Sequence, residues 1–101
     1  DEFPKNQYTK WFDYDKIKGT LSLRHRQPGD YLTLPSGGRK TLKSWMIDEK
    51  IPRQEREQIW LLAEEKHILW IVGHRISAYY KITEQTKTIL EVEFNGGKSS
   101  G

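Results

Sequence analysis

The fold of this chain is decided by residues 59–72, which read IWLLAEEKHILWIV. The runs Ile59–Ala63 and His67–Val72 are continuously apolar and rich in β-branched and aromatic residues, which is typical of strands. The three residues between them, Glu64-Glu65-Lys66, have the length of a hairpin loop. Because neither run alternates apolar with polar residues, we expect a β-hairpin whose strands are buried on both faces.

Towards the C-terminus, Gly73 ends the second run. The residue types at Ser77–Ile82 and Thr88–Phe94 predict two further strands, separated by a turn at residues 84–87. Residues 95–101, which read NGGKSSG, are expected to be a flexible tail.

Towards the N-terminus, two short helices are expected. Thr41 is a good N-cap, and Leu42, Trp45 and Met46 follow at helical spacing on one face. Pro52 suits the first turn of a second helix that extends to about Gln58.

Two more strands are predicted before these helices. They are Ile17–His25 and Tyr31–Leu34, and Gln27-Pro28-Gly29-Asp30 forms the turn between them. Together, the predicted strands and helices form an α+β domain of mainly antiparallel strands and two short helices, which we place at residues 12–94. Residues 1–11 are interpreted as a linker from an upstream domain.

Length and composition limit the class of protein. One hundred and one residues suffice for one domain with a single core. The absence of cysteine removes disulfides and thiolate metal sites and agrees with a reducing compartment. The longest apolar candidate, 68–73, is far shorter than a membrane span, and residues 1–5 do not resemble a signal peptide. A cytoplasmic protein without membrane contact is therefore expected.

Positive charge is concentrated in the middle of the chain. Residues 16–56 contain ten lysines and arginines against four acidic residues, an excess of six, whereas the flanking segments together sum to −3. A clustered basic face indicates an anionic partner such as a nucleic acid. The alternative is a solvated surface whose lysines serve solubility.

Enzyme and metal motifs do not fit this sequence. Residues 36–41 (SGGRKT) depart from the Walker A pattern, because Lys40 does not directly follow the second glycine and Thr33 stands where an earlier glycine is needed. The same loop remains a candidate anion site at a helix N-terminus.

Titratable residues give no catalytic or metal pattern either. The histidines lack metal-ligand spacing and are expected as strand-surface or phosphate-facing rings, the serines have no visible base, and Glu64-Glu65 are expected to be solvated in a turn.

The positions of the aromatic residues distinguish between base stacking and backbone contact with a nucleic acid. Trp45, Trp60 and Trp70 lie on apolar faces and are assigned to the core. A single-strand binder needs exposed aromatics along its groove. Of the aromatic residues not clearly committed to the core, which are Trp11, Tyr14, Tyr31, Tyr79 and Tyr80, only Tyr31 lies within the basic segment. Backbone contact to a double-helical nucleic acid is therefore favoured over base stacking.

Four motifs in order give this chain a family resemblance. They are Arg24-x-Arg26-x-x-Gly29-Asp30, Lys40-x-Leu42-Lys43, Lys50-Ile51-Pro52-x-x-x-Arg56, and the segment 68–77, ILWIVGHRIS. With the lead-in 12–15, FDYD, they resemble the C-terminal domain of bacterial tRNA(Ile)-lysidine synthetases.

The resemblance implies a fragment of an ATP-dependent ligase that joins lysine to the wobble cytidine of a tRNA(Ile) anticodon. ATP and Mg²⁺ would bind in an upstream catalytic domain of the same chain, and this fragment would hold no cofactor, no metal and no catalytic residue. It would hold tRNA(Ile) through phosphate and acceptor-stem contacts. The candidate tRNA-binding residues are Arg24, Arg26, Arg39, Lys40, Lys43, Arg53, Arg56, His74 and Arg75. Residues expected to set turn geometry are Pro28, Gly29, Asp30, Pro52 and Gly73, with Asp30 orienting Arg24 or Arg26 or capping the turn.

An alternative from another class is a structural or protein-interaction domain. It would dock on the catalytic domain or form a homodimer, and the two-sided apolar strands would supply the surface.

Overall fold

The hairpin expected at residues 59–72 lies at the centre of a mixed sheet in the computed structural model, which describes residues 8–95. The strands are β1 (Thr9–Asp13), β2 (Leu21–Arg24), β3 (Tyr31–Thr33), β4 (Arg39–Thr41), β5 (Leu61–Glu64), β6 (His67–Ile71), β7 (Arg75–Ile76) and β8 (Ile89–Glu93). The helices are α1 (Leu42–Asp48), α2 (Arg53–Arg56) and two 3-10 helices, Tyr14–Lys16 and Ala78–Tyr80. The predicted α+β class is confirmed.

The larger sheet has the order β2-β5-β6-β3-β4, and β7 also pairs with β6. All its pairs are antiparallel except β3 with β6, which meet at Tyr31 and His67. Within the hairpin, Trp70 pairs with Leu62 and Ile68 with Ala63, so Leu69 is an extra residue opposite them. This bulge breaks the strict alternation of side chains, and Leu69 and Trp70 therefore belong to the same apolar cluster.

Both faces of the hairpin are buried, as the sequence predicted. One face contributes to a cluster with the side chains of α1, formed by Leu32, Leu42, Trp45, Met46, Ile51, Leu61, Ala63, Ile68 and Ile71. The other face contributes to a cluster formed by Phe12, Leu62, Leu69, Trp70, Val72 and Tyr80. Helix α1 covers one side of the hairpin, and the second sheet covers the other together with Tyr80 of the second 3-10 helix.

Helix α1 confirms the prediction made from its cap. Thr41 Oγ1 accepts a hydrogen bond from the Ser44 N–H at 3.1 Å, and Leu42, Trp45 and Met46 are buried. Helix α2 is shorter than predicted: it ends at Arg56, and the Gln58 N–H bonds to the Glu55 carbonyl across a turn.

The strand predicted at residues 77–82 is wrong. Strand β7 ends at Ile76, and Ser77 is the N-cap of a 3-10 helix in which its side chain accepts a hydrogen bond from the Tyr79 N–H. Local bonding by a serine side chain competes here with strand pairing. The strand predicted from Ile17 is also shorter, because the Lys18 and Gly19 N–H groups bind the Glu64 carboxylate instead of a neighbouring strand.

A second sheet joins the two ends of the described chain. Strand β8, which was predicted, pairs antiparallel with β1, from Thr9 opposite Glu93 to Asp13 opposite Ile89. Strand β1 was not predicted and begins inside the segment 1–11 that was interpreted as linker. Residues 1–7 of that segment and 96–101 of the predicted tail lie outside the described residues.

No helix in residues 8–95 has the length and apolar character needed to cross a membrane.

Candidate nucleic-acid interface

The turn after β2, the start of α1 and helix α2 converge around a groove of about 770 Å³. Its charged lining residues are Arg26, Lys43, Arg53 and Arg56, together with Asp30 and Glu57. No aromatic residue of the described range 8–95 lines it. We call this surface the cationic groove.

Asp30 organises the turn that forms one wall of the groove. Its buried carboxylate accepts two hydrogen bonds from the Arg24 guanidinium, at 2.9 and 3.0 Å, and one from the Gln27 N–H at 2.8 Å. Gly29 takes a φ of +88°, which a side chain would strain. Asp30 thus both orients Arg24 and caps the turn.

Both terminal nitrogens of the Arg24 guanidinium are engaged in this arrangement. Besides Asp30, its guanidinium donates to the carbonyls of His25 at 2.9 Å and Glu65 at 2.7 Å. Its side chain is 16 % exposed, and it does not line the groove. The geometry gives Arg24 a structural task, which is to tie the turn to the β5–β6 loop.

Arg26 lines the groove but is partly neutralised. Its Nε and Nη2 donate to Glu57 Oε2 at 2.8 and 2.6 Å. The Glu57 side chain is 64 % exposed, so this ion pair contributes little to stability.

The other three cations of the groove have no carboxylate partner among residues 8–95. Arg56 Nε donates to the Ile51 carbonyl at 2.8 Å, which holds the guanidinium in place at the end of α2. Lys43 comes from the first turn of α1 and Arg53 from the start of α2. The groove therefore presents positive charge from two helices on a wall of fixed backbone.

The remaining predicted contacts lie elsewhere. Lys40 Nζ pairs with Asp48 at the end of α1, and the Arg39 guanidinium lies 4.1 Å above the centre of the Tyr31 ring. His74 and Arg75 follow the turn at Gly73, whose φ is +86°, and the His74 ring meets the edge of Trp45. The structure thus brings four of the nine candidates, Arg26, Lys43, Arg53 and Arg56, to one groove.

The glycine-rich loop does not form the expected anion site. The Gly37 N–H donates to the Leu34 carbonyl, and the Leu34 N–H donates to the Gly38 carbonyl, both at 2.8 Å. In the first turn of α1, the Leu42 N–H donates to Asp30 and the Ser44 N–H to Thr41. These donors are used internally because residues 39–41 form β4 rather than a flexible loop.

Two further sequence predictions are wrong. Trp60 is not a core residue: it is 37 % exposed, whereas Trp45 and Trp70 are buried as predicted. Glu64 is not a solvated turn residue, since it accepts hydrogen bonds from the N–H groups of Lys18 and Gly19 and from Tyr80 Oη.

His67 is a half-buried ring and not a surface imidazole. It stacks on Tyr31 at 4.5 Å and lies about 5 Å from the rings of Tyr79 and Tyr80. Burial lowers its pKa, and the positive charge of Arg39 lowers it further. The sequence signal that could have located this cluster is Ser77 followed by Tyr79-Tyr80, a capped aromatic turn.

His67 also lies beside Ser77, a pairing that invites comparison with a nucleophile and its base. Ser77 is 1 % exposed, and its hydroxyl accepts a hydrogen bond from the Thr33 N–H at 3.0 Å. The His67 Nε2 is closer to Thr33 Oγ1, at 2.9 Å, than to Ser77 Oγ, at 3.4 Å. A hydroxyl buried in this way has no access to a substrate, so the pair is structural.

No group of three or more potential metal ligands is found in the part of the chain that the structure describes.

Comparison with known proteins gives one consistent result. The sequence model of the family described as "TilS substrate C-terminal domain" matches residues 21–93. The chain is 46 % identical over 95 residues to a tRNA(Ile)-lysidine synthase of Caldanaerobacter subterraneus subsp. tengcongensis and 41 % identical over 101 residues to one of Clostridium tetani. These matches cover 93 % and 99 % of this chain but only 20 % and 22 % of the relatives.

A solved structure agrees with these sequence matches. A crystal structure of a TilS C-terminal domain superposes with a TM-score of 0.63 at 29 % identity, covering 93 % of this chain and 78 % of the other. The chain thus spans about a fifth of the length of the curated relatives and most of a domain that has been solved separately.

Proposed function

The chain belongs to the tRNA(Ile)-lysidine synthase family, where it corresponds to the C-terminal domain, and on this premise we propose that it is a non-catalytic tRNA-binding module of a longer synthase. The observation that carries the proposal is the cationic groove, in which Lys43, Arg53 and Arg56 have no carboxylate partner within residues 8–95. Unpaired cations on rigid backbone suit the phosphates of a folded RNA.

The composition of the groove favours contact with the RNA backbone over contact with its bases. In the described part of the chain, no aromatic ring on which a base would stack lines the groove. Double-helical RNA is recognised mostly by shape and by phosphate and 2′-hydroxyl contacts. We therefore propose that the groove holds a helical part of tRNA(Ile), the acceptor stem, while the anticodon is modified elsewhere.

The chemistry is assigned to the upstream part of the longer protein. There, lysine would be ligated to the wobble cytidine of the tRNA(Ile) anticodon with ATP and Mg²⁺, in the cytoplasm where the tRNA is found. In this chain, the glycine-rich loop at residues 36–41 does not offer these backbone donors to ATP phosphates, because the N–H groups of Leu34 and Gly37 are used within the loop. This domain is proposed to position the substrate and to take no part in bond formation.

The proposal is tested by titrating tRNA(Ile) into the chain at several salt concentrations. We expect the logarithm of the affinity to fall linearly with the logarithm of salt concentration, with a slope of about −0.7 to −0.9 per phosphate contacted. Lys43→Ala should weaken binding and flatten that slope by roughly one contact.

Lys81→Ala is the matched control, because Lys81 is exposed and lies outside the groove. It removes the same charge from the whole molecule and should leave the slope unchanged. Equal effects of the two variants, or no binding at low salt, would contradict the proposal.

A further inference from the structure

A second groove, of about 390 Å³, opens beside Trp60 and differs in character from the cationic groove. Its lining includes Tyr8, Gln58, Ile59, Trp60, Val72 and Phe94, and none of its described lining residues carries a formal charge. We call it the aromatic groove.

Trp60 is held in a fixed orientation in this groove. The His25 ring lies 4.0 Å from it at an interplanar angle of 31°, and His25 Nδ1 bonds with the Ile59 carbonyl at 3.1 Å. The Phe94 ring is also near, with its centroid 6.3 Å from that of Trp60 at an interplanar angle of 47°. Even so, 37 % of Trp60 stays exposed. A rigid, partly exposed tryptophan in an uncharged groove is the kind of residue that anchors a protein interface.

The uncharged lining of the aromatic groove indicates the chemical class of its occupant. A nucleic acid would bring phosphates, and among residues 8–95 no cation lines the aromatic groove, whereas four line the cationic groove. A protein surface with an apolar side chain matches the uncharged lining.

The position of the aromatic groove in the fold indicates which protein surface would occupy it. Tyr8, just before β1, lines the groove, so the groove lies at the N-terminal end of the described residues. The relatives are about five times as long as this chain, and the family match is to their C-terminal domain.

We propose that the aromatic groove is the docking site for the upstream catalytic part of the same protein, which seats an apolar side chain against Trp60. The proposal rests on the proposed function only in taking this chain as the C-terminal domain of a longer synthase. It does not depend on tRNA binding in the cationic groove, so that either can fail alone.

The test is hydroxyl-radical footprinting of Trp60, read by mass spectrometry, in the full-length gene product and in the 101-residue chain. We expect Trp60 to be oxidised readily in the isolated chain and several-fold more slowly in the full-length protein. Tyr14, which is 50 % exposed and does not line the groove, is the internal reference and should react equally in both.

Other occupants give different results, and each overturns the proposal. Equal oxidation of Trp60 in both proteins would show that nothing upstream covers it, and protection already present in the isolated chain would show that the chain covers it itself. Protection that grows with concentration of the isolated chain would identify a second copy. Protection that appears only with added tRNA would identify RNA.

A charge variant provides an independent test. Gln58 is exposed and lines the aromatic groove, so Gln58→Lys adds a cation there without removing a buried group. Burying an unpaired charge against an apolar partner is costly, and we expect the variant to restore part of the Trp60 oxidation in the full-length protein. Unchanged protection, or tighter tRNA binding by this variant with Trp60 covered by the RNA, would count against docking.

Discussion

Glu64 is a single carboxylate that holds three parts of the chain together. It accepts hydrogen bonds from the Lys18 N–H at 2.6 Å, from the Gly19 N–H, and from Tyr80 Oη at 2.7 Å. It thereby joins the loop before β2 and the 3-10 helix after β7 to the end of β5. Burial acts to raise the pKa of Glu64, but the hydrogen bonds from Tyr80 and the two N–H groups outweigh it and lower the pKa below 4.5.

This shift makes the stability of the fold depend on pH in a defined direction. Because the folded-state pKa of Glu64 is lowered, its stabilising contribution is complete above the ordinary value of 4.5 and is lost as pH falls through the folded-state pKa. Tyr80→Phe removes one donor, and we expect it to lower the free energy of unfolding at neutral pH by about 1–2 kcal/mol. The loss should shrink below pH 4.5.

Urea denaturation of both proteins across this pH range measures the effect. Tyr79→Phe is the matched control, because it deletes the same hydroxyl from a ring that is 43 % exposed, and it should change stability little. If the loss of unfolding free energy caused by Tyr80→Phe did not change with pH, the hydrogen bond to the Glu64 carboxylate would not be the cause of that loss.

At the scale of elements, helix α1 depends on its N-cap. Its seven residues are too few to be stable alone, so capping and burial of Leu42, Trp45 and Met46 must hold it. Thr41→Ala removes the acceptor for the Ser44 N–H, and we expect it to lower the free energy of unfolding by about 0.5–2 kcal/mol. The same change should weaken tRNA binding, because α1 carries Lys43 into the cationic groove.

Chemical denaturation and tRNA titration check this prediction. Thr41→Ser keeps the accepting hydroxyl and should retain most of both properties. If Thr41→Ser and Thr41→Ala lowered the free energy of unfolding by the same amount, the hydrogen bond of the cap would not be what stabilises the helix.

Elements with a strong local signal were predictable from the sequence. The β5–β6 hairpin follows from its continuous apolar runs, and α1 follows from Thr41 and the spacing of its apolar residues. Strands β1, β4 and β7 were missed. The two shorter ones, β4 and β7, have three and two residues, and β1 pairs with a strand about eighty positions away. Pairing over such distances leaves little trace in local composition.

The same distinction applies to the candidate site. The basic segment was visible as composition, and four of its cations line one groove. The pairing of Asp30 with Arg24 was one of the alternatives expected from the sequence. The pairing of Lys40 with Asp48 was not expected, because it depends on where the end of α1 places the carboxylate. Trp60 was assigned to the core because its sequence neighbours are apolar, yet its side chain is partly exposed in the structure.

At the scale of the whole molecule, Arg24 and Arg53 carry the same formal charge in different environments. Arg24 is held by buried Asp30, whereas Arg53 lines the cationic groove without a carboxylate partner in the described chain. Arg24→Ala and Arg53→Ala remove the same charge and should act on different properties. Arg24→Ala leaves Asp30 buried and unpaired, and we expect the free energy of unfolding to fall by about 3–5 kcal/mol. Arg53→Ala should change it by less than about 0.5 kcal/mol.

tRNA binding should show the opposite order. Where each variant is still folded, Arg53→Ala should reduce the salt slope by about 0.7–0.9, the share of one phosphate contact, while Arg24→Ala should leave the slope unchanged. Denaturation curves and salt-dependent titrations of both variants measure the two quantities on the same samples. If both variants reduced the slope equally and neither lost stability, the overall charge of the domain would attract the RNA, and the cationic groove would have no special role, because only a defined contact surface makes the position of a charge matter.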